Sequence, residues 1–388
     1  MISIKMFKAE NGDAFLLNFD NKQNILIDMG TPNTYEDEIK EELLELSQSG
    51  QKIDLLVVSH IDNDHIGGVI EFIKDNKEHN IIKVDEVWHN SYRHLNFTKK
   101  KVEKINQKYK TILENIKSRY TPQVRKEGTS DITFEQGSSL ASLLYKYNYS
   151  WNKSFCNEAI FTDNVVSKKI KDINIILLSP NQKKLDRLSS QWLSDLEDEL
   201  YGFELSDEDL FNDAFEFYMS NKSSQDILLN DCSSSIDINL KKLAEYKAKD
   251  NSATNGSSLA FIIEYKGKKL LFLGDAHEDI ILEKLNILKD DAYELKFDLV
   301  KVSHHGSKNN ISNEMLNLIS TDKFLFSTNS KYHSHPDAEC LAKVILTNTD
   351  KKKELIFNYK TDNSEKIGDV EFYKTYNYSV KYHNKVSI

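Results

Sequence analysis

The chain has 388 residues, 39% of them hydrophobic and 29% charged, and a net charge of −10 at pH 7. That charge gives no global attraction to nucleic acid or to an anionic membrane, and no apolar run approaches the ~20 residues of a membrane helix. Cys156, Cys232 and Cys340 are odd in number and far apart, which excludes zinc-finger spacing and argues against a disulfide framework; together with an N-terminus that lacks a basic-then-apolar leader, this predicts a cytoplasmic protein.

The first elements form a meander. Ile2–Phe7, Ala14–Phe19 and Asn24–Asp28 read as strands, with Asn11-Gly12-Asp13 as a turn. Thr34 is the expected N-cap of a helix to Gln48, because Ile39, Leu43, Leu44 and Leu46 fall at helical spacing behind early acidic residues. The run Leu55-Leu56-Val57-Val58 predicts a buried strand. It ends in Ser59-His60-Ile61-Asp62-Asn63-Asp64-His65, and a helix starts at Gly67. Lys83–Trp88 reads as another strand. From about 93 to 255 the pattern weakens. Arg93–Lys126 is strongly basic and partly helical, Ile173–Leu178 is a strand, Lys184–Tyr201 is a helix, and residues 195–213 carry many acids and no Lys or Arg. The basic segment reads as a solvated helix face or a phosphate contact, and the acidic one as facing solvent or a partner. Regular pattern returns with a hairpin, Leu259–Tyr265 and Lys269–Leu273 about Lys266-Gly267-Lys268, ending in Gly274-Asp275-Ala276-His277. After the helix Glu278–Leu288, the strand Phe297–Val302 ends in Ser303-His304-His305-Gly306-Ser307. The helix Glu314–Ile319 and the strand Phe324–Ser327 lead to His333-Ser334-His335-Pro336-Asp337 and a short helix through Val344. The tail from Glu354 to Ile388 reads as strands.

Two imidazoles and two carboxylates within six residues, at the carboxyl end of a buried strand, are metal ligands in type and position. Four so close together exceed the need of one open catalytic ion and point to two ions. The same strand-then-polar-cluster arrangement recurs at Asp28, Asp275, His304/His305 and His335, which predicts that these segments converge on one site.

In this order the clusters resemble the metallo-β-lactamase fold. His60-x-Asp62-x-Asp64-His65 is similar to its central metal motif, and Asp275 to its bridging carboxylate. His304-His305-Gly306-Ser307, with Gly-Asp before it and His-Pro after it, resembles the hydrolase domain of the DNA-uptake protein ComEC and its standalone relatives; Gly12-Asp13-Ala14 and Asp28-x-Gly30 also fit. The resemblance covers roughly residues 1–90 and 255–345. It implies an α/β fold, an αββα sandwich with a largely helical insertion. Residues 1–92 and 256–388 would form the halves of the core, and 93–255 the insertion, with a core strand near 173–178. It also implies two divalent ions, Zn or Mn, one held by His60, Asp62 and Asp275 and the other by Asp64, His65, Asp275 and His305. Asp28 would support a ligand histidine. Asp64, His304 and His335 are the expected catalytic residues, the two histidines as phosphate contacts or leaving-group acids, with a ligand role as the alternative for His335. The family's third histidine for the first ion is missing from Asn251–Ser258, which leaves that position open to water, substrate, Asn255, His89 or another residue.

The function this implies is a dinuclear phosphodiesterase or nuclease acting on nucleic acid or a nucleotide; standalone relatives are associated with antiviral defence in bacteria. The alternatives are a small-molecule phosphodiesterase for cyclic nucleotides or phosphocholine-type diesters, hydrolysis of a lactone or thioester, and a non-catalytic module that keeps metals for stability. No membrane partner is expected. The insertion is a candidate surface for a homo-oligomer or a companion protein.

Overall fold

The computed structural model describes residues 1–97, 101–120, 139–163, 166–199, 204–222, 239–368 and 370–388. Its frame is two facing sheets. The first contains Ile2–Met6 (β1), Ala14–Phe19 (β2), Asn24–Met29 (β3), Leu55–Val57 (β4) and Val87–Trp88 (β5). The second contains Val166–Ile170 (β6), Ile173–Ser179 (β7), Ala260–Tyr265 (β8), Lys268–Phe272 (β9), Leu299–Lys301 (β10), Lys323–Phe326 (β11), Lys353–Phe357 (β12) and Tyr378–Tyr382 (β13). Lys385–Ser387 (β14) crosses back and pairs antiparallel with β1. Strands β3, β4 and β5 run parallel, as do β9 to β13. The loops after β3, β4, β9, β10 and β11 meet at one edge of the sandwich.

Alternation along the strands makes the layers. Phe15, Leu17, Ile25, Ile27, Phe261, Ile263, Leu270 and Phe272 fill the space between the sheets. Leu16 and Leu26 point outward under one helical layer, and Ile262 and Leu271 under the other. Helices cover both outer faces, so these strands are apolar on both sides and read as nearly continuous hydrophobic runs. Phe15 meets Phe272 edge-on with ring centroids 5.4 Å apart; each such buried side chain contributes about 1.5–3 kcal/mol.

Pro32–Thr34, Tyr35–Ile39 and Lys40–Gln48 form one helical run (α1), capped by Thr31 rather than Thr34. Pro32 at the first helical position fixes φ for the helix, so Thr34 falls inside, donating its backbone N–H to Thr31 Oγ1. In the tail, Asp362–Lys366 and Val370–Tyr376 are helical, so the all-strand expectation holds only at its ends.

Helix α2, Asn63–His79, lies backbone-to-backbone on the end of β3. A Cβ on Gly68 would stand 2.1 Å from Met29 O, and the Gly68 N–H donates to Gly30 O at 2.8 Å. Only glycine permits this approach. Gly68→Ala is therefore expected to lower stability by about 1–3 kcal/mol through overpacking, read as a shift of the urea midpoint. A shift equivalent to less than about 0.5 kcal/mol, the scale of an ordinary surface change, would show that the close approach is dispensable.

The middle of the chain has its own cluster. Gln107–Tyr120 (α3), Gln182–Glu199 (α4) and Asp209–Lys222 (α5) bury Leu113, Ile116, Leu185, Leu188, Trp192, Phe211 and Phe215. Ile61, inside the metal motif, is part of that cluster. The charged segments depart in part from the expectation. Arg93 pairs with Asp209 at 2.6 Å, Lys101 with Asp207 at 2.7 Å and Lys117 with Asp213 at 2.6 Å. The acidic stretch thus neutralises part of the basic one, while Asp207 and Asp209 still face solvent as expected. Lys99, Lys100, Arg125, Lys126 and Cys232 lie outside the described residues. Among the described residues, no helix is long and apolar enough to cross a membrane.

Candidate metal centre

The chain leaves β4 and turns into α2 with Asp62 as the N-cap residue. His60 and Asp62 therefore sit in the turn, and Asp64 and His65 in the first helical turn. After β9, Gly274 adopts φ +49°, and a Cβ there would press on Ser258 Oγ at 2.5 Å; this tight turn delivers Asp275. After β10, His304 (φ 48°, ψ 53°), His305 (φ 54°, ψ 16°) and Gly306 (φ 91°) are left-handed in succession. Two non-glycine residues held this way cost about 1–3 kcal/mol each, and the result is that both imidazoles face Asp275.

Asp275 Oδ2 is the meeting point. It lies 3.5 Å from His65 Nε2, 3.5 Å from His305 Nε2 and 3.8 Å from His60 Nε2. Asp62 Oδ2 is 3.4 Å from His60 Nε2. The two oxygens of Asp64 stand 4.0 Å and 3.9 Å from His65 and His305 Nε2. The structure thus brings together all six residues expected as ligands. His304 Nε2 joins them, 3.8 Å from Asp275 Oδ2. His335 lies one ring further out, its centroid 5.2 Å from that of His304, with Nδ1 3.4 Å from Asp337. His277 is the N-cap residue of the helix Glu278–Asp290. His89 is buried elsewhere, with Nε2 3.0 Å from Glu216 and its ring stacked on Trp151.

These residues fit a divalent cation. His65 Nδ1 lies 2.9 Å from Asp28 Oδ2, and His305 Nδ1 2.8 Å from Ser327 O. Both partners are acceptors, so each Nδ1 donates and each Nε2 is left to meet a cation, proton or metal. Those two Nε2 atoms are 3.3 Å apart and share a carboxylate neighbour. His60 Nε2 and Asp62 Oδ1 are buried without a hydrogen-bond partner. Electron pairs converging in a buried site are costly unless a cation sits among them, and mixed nitrogen and oxygen donors suit Zn²⁺ or Mn²⁺.

The electrostatics agree. Burial opposes a charge on His65, but Asp275 and Asp28 outweigh it and hold its pKa well above the usual imidazole value. His305 is raised against burial by Asp275 and Asp13. His304 is raised in the same way, by Asp275 and Asp250, to about 10. In return, His305, His65 and His304 overcome the burial of Asp275 and keep its carboxyl well below the usual range. The cluster attracts positive charge, whether proton or metal.

A supporting shell holds the ligands. Asp28 accepts from the backbone N–H of Ser59 at 2.7 Å and from Ser59 Oγ at 2.6 Å, as well as from His65. Lys301, buried in β10, pairs with Asp13, donates to Gly274 O at 3.1 Å and stands 3.7 Å from Asp275 Oδ1. Asp250 accepts from Asn255 at 2.8 Å and Asn310 at 2.9 Å, and lies 3.5 Å from His304 Nδ1. Sequence reasoning did not single out Lys301, Asn310 or Asp250. The signal for Lys301 is a lone lysine inside the apolar run Leu299–Val302; Asp250 has none, because its partners are remote in sequence.

Residues 8–142 match the model of the Metallo-beta-lactamase superfamily. ComE operon protein 3 of Bacillus subtilis (strain 168) is 26% identical over 140 residues, 34% of this chain. The chain spans 17% of the length of that curated relative. Among solved structures, the metallo-beta-lactamase fold protein YhfI from Bacillus subtilis is similar at a TM-score of 0.37 and 9% identity, over 99% of this chain and 96% of that one. Zn(2+)-bound PqqB from Methylobacterium extorquens is similar at 0.40 and 8%, over 100% of both chains. A long form RNase Z from yeast is similar at 0.36 and 10%, over 85% of this chain and 36% of that one.

Proposed function

We propose that this chain, which has the metallo-β-lactamase fold, is a two-metal hydrolase that cleaves phosphodiesters, with a nucleic-acid strand as its first substrate class. The observation that carries the reading is the convergence on Asp275 of His60, itself beside Asp62, and of His65 and His305, themselves beside Asp64. Two divalent ions in such a centre supply Lewis acidity at the phosphoryl oxygen and a nucleophile at neutral pH, and they suit in-line displacement. The side chains orient the rest. Asp64 is the partly exposed member of the group, steadied by Asn11 Nδ2 at 2.7 Å, and is placed to accept the proton of the attacking water. His335 is placed to meet a phosphate oxygen or the leaving group from outside the cluster.

A second reading, cleavage of a small phosphodiester such as a cyclic nucleotide or a phosphocholine-type diester, is favoured by one finding. Arg93, Lys101 and Lys117 are paired with acids and so are not free to track a nucleic-acid backbone. A substrate panel separates the two. Protein stripped with EDTA and reloaded with Mn²⁺ or Zn²⁺ should cleave bis-p-nitrophenyl phosphate, and renewed chelation should remove the activity. Cleavage of single- or double-stranded DNA supports the first reading; turnover of cyclic nucleotides or choline diesters without it supports the second. Inertness on every diester with Mn²⁺, Zn²⁺, Mg²⁺ and Fe²⁺ would overturn both.

A further inference from the structure

We propose that His304 is the missing third donor of the first metal position. Each ion is then held by two imidazoles, one carboxylate of its own and the shared Asp275. The proposal rests on the two-ion reading above and deepens it. It also gives His304 a different role from leaving-group acid.

The seating of the His304 ring carries the argument. Asn310 Nδ2 donates to Asp250 Oδ2 at 2.9 Å and to Asp275 O at 3.3 Å. Those acceptors fix the amide orientation, so Asn310 Oδ1 faces His304 Nδ1, 3.1 Å away, and can only accept. The carboxylate of Asp250 lies beside the same nitrogen. Asn255 Nδ2 lies 3.4 Å from it as well, so Nδ1 is taken up by this shell and Nε2 is the nitrogen left facing Asp275 Oδ2. An imidazole seated this way can exchange its Nε2 proton for a cation. It is in the state of a metal ligand whose other nitrogen is held by a hydrogen-bonded carboxylate or amide.

The other three imidazoles are prepared in the same way. His65 is held by Asp28 and His305 by Ser327 O. Ser59 Oγ gives its own hydrogen to Asp28, which leaves it to accept from His60 Nδ1 at 3.0 Å. Four Nε2 atoms then surround Asp275 Oδ2, at 3.5 Å for His65 and His305 and at 3.8 Å for His60 and His304. His65 and His305 approach each other and Asp64. His60 approaches Asp62, although its ring also lies 4.2 Å from that of His65, and the proposal assigns His304, the fourth imidazole facing Asp275, to that side.

The segment in which the family pattern would place the third histidine has another task here. The helix Ala253–Gly256 (α6) brings Thr254 Oγ1 to Asp62 Oδ2 at 3.4 Å and Asn255 Nδ2 to Asp250 at 2.8 Å. It orients ligands and the residue that positions His304. His89, the other histidine considered for the gap, is committed to Glu216.

The test counts bound metal. Wild-type protein stripped and reloaded with Zn²⁺ or Mn²⁺ is expected to retain two equivalents after gel filtration. His304→Gly and His304→Asn, both compatible with the left-handed backbone at this position, should retain one, or bind the second about tenfold or more weaker. His335→Ala should retain two. In wild-type protein, nitrogen-15 spectra of the Zn²⁺ form should show metal-bound Nε2 signals from four imidazoles, His304 included, which needs no variant to fold. Two tight equivalents in both His304 variants, or a His304 Nε2 signal unchanged by Zn²⁺, would overturn this proposal and leave the two-ion reading standing. A wild type that binds no metal would overturn the two-ion reading itself.

Discussion

Asp275→Asn is expected to lower phosphodiester cleavage by about 10²–10³-fold, the scale seen when one electrostatic element of a transition-state site is removed, and to lower metal content with it. The substitution keeps shape and volume. It removes the negative charge from the one oxygen that His60, His65, His304 and His305 all face. The asparagine must present either a neutral oxygen or an NH₂ group there, and the latter would donate into converging lone pairs. The Asp275 N–H still donates to Ser258 Oγ at 3.0 Å, so the turn itself should survive. Turnover of bis-p-nitrophenyl phosphate, metal content by mass spectrometry and near-ultraviolet circular dichroism together check the outcome. Activity within tenfold of wild type at unchanged metal content would remove Asp275 from the centre of the site.

Lys301→Met is expected to destabilise the fold by about 3–5 kcal/mol, the range for breaking one side of a buried ion pair. Lys301 and Asp13 are 1% exposed each. Burial disfavours the ammonium, but Asp13 and Asp275 outweigh it and raise its pKa above the ordinary lysine value. Methionine fills nearly the same volume, so little packing is lost. What remains is a buried Asp13 carboxylate with His305 Nδ1 3.2 Å away as its nearest basic neighbour. The readout is the urea midpoint at unchanged m-value. Adding Asp13→Leu to Lys301→Met should restore part of the loss, because the stranded charge is then gone. A single-variant effect below about 1 kcal/mol, the worth of an exposed pair, would mean that the ammonium is not needed where it lies.

The strands and the clusters that end them were legible because each is local. An apolar run of four to seven residues followed by His or Asp can be read without knowing its neighbours, and the two-sheet sandwich is what the family resemblance of those clusters implies. The N-cap was misplaced by three residues because Thr31 and Thr34 flank the same proline and either could cap a helix. The pairing of the basic and acidic segments was illegible for a different reason. Arg93 and Asp209 are 116 residues apart, and only the packing of α3 against α5 brings such segments together. The orienting shell was hidden on the same grounds. An aspartate such as Asp250, in the polar stretch Lys247-Ala248-Lys249-Asp250-Asn251, gives no sign that His304 and Asn310 will close over it.

The approach of His65 to His305 joins residues 240 apart in the chain. Closing so long a loop costs entropy before any contact at the site can offset it, and folds dominated by such distant pairings form slowly. The two halves of the centre are therefore expected to meet late on the folding route. A cation that binds only the finished cluster stabilises the native state by mass action. Because its contacts are absent from the folding transition state, it lengthens the lifetime of the folded chain and leaves the speed of folding nearly unchanged.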